Sequence, residues 1–105
     1  MNTQEVEITK SARGWSIHTT QQWENATHPV HDYSGTGSSL AWAIYITVDW
    51  AARNRTRIVS FTVHGEPYPR EKILAAIKKA SKGGLEYARK IVKAVFTLKQ
   101  EEAQR

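Results

Sequence analysis

Residues His28–Ser39, with the sequence HPVHDYSGTGSS, carry side chains whose types and spacing suit a metal site or an acid–base pair. Two histidines are separated by two residues and followed by an aspartate, and these groups bind zinc or transfer protons near neutral pH. Pro29 keeps the histidines from occupying successive turns of a helix interior, and there is no HExxH motif. We therefore predict no metal site and interpret the segment as a loop that contacts a partner through His28, His31, Asp32 and Tyr33.

The same segment contains hydroxyl side chains and two glycines, which raise the alternatives of a nucleophile and a phosphate-binding loop. No nucleophile-elbow motif surrounds these hydroxyls. Glycines let backbone N–H groups approach an anion, but the segment lacks the GK[ST] ending of a P-loop and precedes a predicted strand instead of a helix. We therefore predict that the protein is not an enzyme and that it uses no cofactor.

The segment ARNRTR places three arginines, Arg53, Arg55 and Arg57, within five residues. A guanidinium group binds phosphate through two parallel hydrogen bonds and stacks on bases, so it is more specific for nucleic acid than an ammonium group. Strand patterns on both sides of the segment predict a β-hairpin with the arginines at its tip, a shape that can grip a nucleic-acid backbone. The alternative is a solvated turn whose arginines have no ligand.

The chain between Arg70 and Lys99 is strongly basic, because nine lysines or arginines and two glutamates give it a formal charge of +7. We predict that helices in this region extend the phosphate-binding surface through Lys78, Lys79, Lys82, Arg89, Lys90 and Lys93. Tyr45 and His18, on the outward face of the predicted sheet, are candidates for stacking on unpaired bases. The alternative for the helix lysines and arginines is that they form an ordinary solvated helix face.

Hydrophobic periodicity predicts four strands. The clearest is LAWAIYITVDW, Leu40 to Trp50, in which large apolar residues occupy the even positions; this predicts a central strand with Trp42 and Trp50 in the core. Arg57–Gly65 is the predicted hairpin partner, and residues 14–23 and 5–9 supply two further strands. Residues 24–39 are predicted to be a long loop between strands.

Two helices are predicted after the sheet. Prolines and a glycine in GEPYPREK end the strands, and apolar spacings of three and four indicate one helix from Pro69 to the Gly83–Gly84 pair and another over about residues 85–102. The predicted fold is α+β in the order β-β-β-β-α-α, with two C-terminal helices packed on one face of an antiparallel sheet of three to four strands. We predict one domain over residues 1–105, with the sheet in 4–64 and the helices in 69–102.

Composition indicates the class of partner. The 105 residues have a net charge of +5 and a pI near 9.7, and the absence of cysteine excludes disulfides and thiolate metal sites. No secretory signal or membrane-length apolar run is visible, so we expect a cytoplasmic protein without membrane contact.

The favoured hypothesis is a small basic module that binds DNA or RNA largely independently of sequence, by neutralising phosphates. The alternative is a protein-binding inhibitor or adaptor, of the kind that phages and mobile elements encode, that docks on an acidic or nucleic-acid-binding protein surface. The predicted edge strand at residues 5–9 could also pair with a second copy to form a homodimer.

Overall fold

The computed structural model describes residues 2–23 and 30–96, and within residues 30–34 it describes the backbone alone. The described part contains five strands and three helices in the order β-β-β-α-β-β-α-α. They are β1 (Asn2–Ser11), β2 (Gly14–Gln22), β3 (Val30–Gly37), α1 (Leu40–Arg53), β4 (Thr56–Val63), β5 (Glu66–Pro67), α2 (Arg70–Ala80) and α3 (Gly84–Val95).

The five strands form one mixed sheet in the order β3-β2-β1-β4-β5. Neighbouring strands are antiparallel except β1 and β4, which are parallel, with Val6 opposite Thr19 of β2 on one side and Phe61 of β4 on the other. Helix α1 is the crossover that carries the chain from β3, at one edge, across to β4. The α+β class is confirmed, whereas the predicted purely antiparallel sheet is wrong because β1 and β4 run the same way.

One face of the sheet is buried beneath the helices. Ile8, Ile17 and Ile58 are fully buried there, and they join residues of all three helices in one hydrophobic core. Positions of opposite parity, such as Glu5 and His18, are exposed on the other face, as a period of two requires. The predicted strands over residues 5–9, 14–23 and 57–65 are present as β1, β2 and β4. The prediction that residues 5–9 form an edge strand open to a second copy is wrong, because β1 is paired with β2 on one side and β4 on the other.

The segment predicted as the central strand, Leu40–Trp50, is helix α1, so this prediction is wrong. Its buried residues follow helical spacing: Ala43, Ile44, Thr47, Val48 and Ala51. The alternation of even positions is misleading because apolar residues also occupy most odd positions, and periodicity alone does not distinguish a buried helix from a strand in such a run. The decisive local signal is Ser39, whose hydroxyl accepts a hydrogen bond from the Trp42 backbone N–H at 3.2 Å and caps the helix.

The predicted hairpin after this segment is therefore a helix-to-strand turn. Helix α1 ends at Arg53, and the Asn54 side chain donates a hydrogen bond to the Trp50 carbonyl oxygen at 2.8 Å. Arg55 has a φ of +50°, in the left-handed region that tight turns use, and β4 begins at Thr56. The three arginines thus lie at a helix C-terminus and a strand start, not at the tip of two paired strands.

The predicted loop over residues 24–39 contains strand β3, which pairs with β2. Register places Gly35 opposite Ile17 and Gly37 opposite Trp15, on the helix-covered face of the sheet. A Cβ atom added at Gly37 would lie 2.8 Å from the Ala43 Cβ and 2.9 Å from its Cα, so this glycine lets α1 approach the strand closely. Gly37, one of the two glycines that resembled a phosphate loop, therefore serves helix–strand packing.

The two predicted C-terminal helices are present as α2 and α3, and α3 ends where Phe96 forms a parallel bridge to Ile58. Residues 97–102, which the second helix was predicted to include, lie outside the described residues. Helix α2 packs against α1 and α3, while α1 and α3 contact the sheet. Among the described residues, no helix is long and apolar enough to cross a membrane.

Candidate functional site

Two of the three arginines predicted to bind phosphate lie beside the C-terminal end of α3. Arg55 and Arg57 line a hollow of about 290 Å³ together with Ala94 and Val95 of that helix. Arg53 and Arg55 are exposed, and Arg57 is half-buried at the start of β4. The turn between α1 and β4 therefore presents its guanidinium groups beside a helix that carries further cations.

Arg53 is held by an ion pair within α1. Its Nε atom lies 3.0 Å from Oδ2 of Asp49, one turn earlier, and its side chain stays 77% exposed. This carboxylate offsets part of the Arg53 charge and orients the guanidinium, since the pair links positions i and i+4 of one helix. Arg55 and Arg57 are thus the stronger candidates for phosphate contact.

Of the three α3 cations predicted to bind, Lys90 shares a side of the helix with residues that contact the α1–β4 region. It is one helical turn from both Tyr87, which contacts Asp49, and Ala94, which borders Arg55. Arg89 and Lys93 are exposed on α3 as well. We define the arginine corner as Arg53, Arg55, Arg57 and Lys90.

The lysines at the end of α2 form a separate group. Lys78, Lys79 and Lys82 are exposed, and Lys79 lines a groove with Leu40 and Ala41, at the opposite end of α1 from the arginines. Tyr68 and Lys72 line the same groove, and the Lys72 ammonium lies 5.8 Å from the Tyr68 ring centroid. The structure therefore divides the predicted basic face into two cationic areas, one near each end of α1.

Tyr45, predicted on the outward sheet face, lies on α1 and takes part in a polar cluster between α1 and α3. The Tyr87 hydroxyl donates to Oδ1 of Asp49 at 3.5 Å, and the Tyr45 ring packs against Trp42 at a centroid distance of 5.6 Å. A hydrogen bond with Tyr45, followed by burial and the nearby Asp49 charge, raises the pKa of Tyr87 to about 12. Tyr87 therefore stays neutral and able to donate at physiological pH.

The raised pKa of Tyr87 predicts a loss of stability in alkali. Between about pH 10 and pH 12 the folded protein keeps a proton on Tyr87 that the unfolded chain has released, so the free energy of unfolding falls as the pH rises through this window. Comparing urea denaturation of the wild type with Tyr87→Phe isolates this contribution, because phenylalanine does not titrate. We expect the free energy of unfolding to fall more steeply with rising pH in the wild type than in Tyr87→Phe. Identical pH dependence in the two proteins would contradict the role of this hydroxyl.

His18 lies away from the arginine corner. His18 is exposed on the face of the sheet opposite the helices, directly across from Glu7. His64 lies in the β4–β5 turn against the Trp15 ring, and it is separated from His18 because β1 lies between β2 and β4. His31, Asp32 and Tyr33 belong to strand β3, not to a loop, and their side chains, like the whole of His28, lie outside the described residues.

Sequence reasoning missed one exposed aromatic residue. Trp42 was assigned to the core by strand parity, yet it is 43% exposed, similar to Trp23 at 46%. On a helix, Trp42 lies opposite the buried Ala43, Thr47 and Ala51 side of α1. The N-cap signal at Ser39 indicates that a helix follows. A helical period, unlike a period of two, places Trp42 on the exposed side.

Comparison of the chain with protein-family models, with curated proteins and with solved structures gives no significant match. Within the described residues, no group of three His, Asp or Glu side chains is placed to hold a metal ion. A functional assignment therefore depends on the chemistry of the surface.

Proposed function

We propose that the protein is a non-enzymatic cytoplasmic module that binds nucleic acid, mainly by neutralising phosphates at the arginine corner. The observation that carries this proposal is that Arg55 and Arg57 line one hollow with Ala94 and Val95 at the end of α3. Lys90 lies one helical turn before Ala94 on the same helix. Guanidinium groups bind phosphate oxygens in bidentate fashion, and each contact releases condensed counterions from the nucleic acid. The mechanism requires little reading of base sequence.

A second candidate function is docking on an acidic protein surface, as an inhibitor or adaptor. Two observations favour it: Trp42 is exposed on the first turn of α1, and Leu40 and Ala41 of the same turn line a groove with Tyr68, Lys72 and Lys79. Large aromatic side chains are enriched in protein interfaces, and lysines at the border would complement acidic groups. The net charge and the arginine corner favour nucleic acid over this alternative.

The proposal predicts a specific change in salt dependence. Substituting Arg55→Ala and Arg57→Ala together is expected to weaken binding to duplex DNA and to reduce the slope of log affinity against log salt by about 2, because two phosphate contacts are lost. Fluorescence anisotropy of a labelled duplex between about 50 and 200 mM salt measures both quantities.

A charge-matched control is available at the far end of the sheet. Lys10→Ala with Arg13→Ala removes the same two charges from the turn region between β1 and β2, roughly 20 Å or more along β1 from Thr3, which lies opposite Arg57. We expect this control to change the slope much less. Equal effects of the two double variants would show that net charge alone drives binding, and salt-independent binding would exclude the phosphate mechanism.

A further inference from the structure

Three aromatic side chains form a continuous strip along the outer side of α1 and the adjoining edge of α3. The Trp42 ring packs against Tyr45 at 5.6 Å, Tyr45 hydrogen bonds with Tyr87, and Tyr87 reaches Asp49 at 3.5 Å. Trp42 is 43% exposed, whereas Tyr45 and Tyr87 are half-buried, so the indole is the main accessible ring and the tyrosines support it. We call Trp42, Tyr45 and Tyr87 the aromatic strip.

Cations lie at both ends of the aromatic strip. Lys72 and Lys79 line a groove with Leu40 and Ala41, the two residues that precede Trp42 in the first turn of α1. Arg53 ends the same helix, eleven residues after Trp42, which corresponds to roughly 17 Å along the helix axis. A ligand lying along α1 would therefore meet positive charge, then aromatic rings, then positive charge.

Asp49 is the acidic group within this surface, and its charge is compensated. One carboxylate oxygen pairs with the Arg53 Nε at 3.0 Å and the other accepts from the Tyr87 hydroxyl at 3.5 Å. Because these partners come from the next turn of α1 and from α3, Asp49 positions both the arginine and the tyrosine. It therefore orients both side chains of the surface, and its negative charge is partly offset by Arg53.

We propose that the aromatic strip binds a single-stranded segment of nucleic acid, with an unpaired base stacked on Trp42 and flanking phosphates on the lysines and arginines. This inference rests on the proposed function and specifies its substrate class. Rings set between cations suit single strands, because bases stack on exposed aromatic faces only when they are not enclosed in a duplex. A purely acidic protein partner would need the cations but would not require a ring between them.

The test compares a labelled oligothymidylate of about twelve nucleotides with a duplex of the same length, for wild type and Trp42→Ala. We expect the wild type to prefer the single strand, and Trp42→Ala to weaken single-strand binding by about 5- to 100-fold with an unchanged salt slope. Trp23→Ala is the matched control, because Trp23 is similarly exposed but lies at the end of β2, outside the strip. Circular dichroism and thermal denaturation establish that each variant is folded.

A second measurement uses the indole itself. Base stacking is expected to quench tryptophan fluorescence when oligothymidylate binds, and Trp42→Phe should lose most of this quenching while retaining part of the affinity. Equal loss of affinity in Trp42→Ala and Trp23→Ala, or equal wild-type binding to single strand and duplex, would overturn the single-strand inference and leave the proposed function standing. Absence of salt-dependent binding to either nucleic acid would overturn both proposals and favour the protein-docking alternative.

Discussion

Replacing Ile44 by alanine is expected to lower the free energy of unfolding by about 2–5 kcal/mol, whereas Ile46→Ala should cost clearly less. Ile44 is fully buried on the sheet-facing side of α1, and Ile46, two residues later, is only half-buried. Truncating Ile44 removes apolar contacts and leaves a cavity that the sheet beneath can fill only in part. Urea denaturation of both variants, with the wild type as reference, gives the two differences directly.

The pair also distinguishes helix from strand at this segment. In a strand, Ile44 and Ile46 would face the same side of the sheet, and the two alanine variants would lose similar stability. In helix α1 they are about 200° apart around the axis, so their costs differ. Suppose that both variants lose a similar amount of unfolding free energy and that the slope of this free energy against urea concentration is unchanged. This result would contradict the helical assignment of residues 40–53.

Adding a single methyl group at Gly37 is the second change with a large expected effect. Gly37→Ala would place a Cβ atom 2.8–3.0 Å from the Cβ, Cα and N atoms of Ala43, and two of those are helix backbone. Either β3 or α1 must shift, and such overpacking typically costs about 1–3 kcal/mol. The midpoint of thermal unfolding should fall accordingly, and Thr36→Ala, on the exposed face of the same strand, is the control that should change little.

The close approach can be tested further by a double-mutant cycle. Ala43→Gly removes one of the three contacting atoms, so in the Gly37→Ala background it should recover part of the lost stability, despite the low helix propensity of glycine. Strictly additive effects, or a Gly37→Ala protein as stable as the wild type, would show that β3 and α1 are not packed as closely as the structure indicates.

From the sequence, the residues of the candidate site could be predicted only as separate groups. The spacing of Arg53, Arg55 and Arg57 indicated a concentrated set of phosphate-binding groups, although its context was predicted as a hairpin. The side of α3 that carries Lys90 faces this region only because Tyr87 contacts Asp49 and Ala94 borders Arg55. Both contacts join residues more than thirty positions apart in the sequence. Trp42 was predicted to be buried because a period of two groups it with the apolar even positions of a strand. With the helical period it lies on the exposed side of α1.

The sequence by itself determined the α+β class, the strands β1, β2 and β4, and the helices α2 and α3, because each of these has a clear apolar period with recognisable ends. It also determined the basic character of the surface, which depends on composition alone. Tertiary structure decided that residues 40–53 are helical and that residues 30–37 are an edge strand, since both segments have ambiguous local patterns and are defined by what they pack against or pair with. It likewise decided that Arg55 and Arg57 lie beside the end of α3, because proximity between elements depends on packing and not on spacing along the sequence.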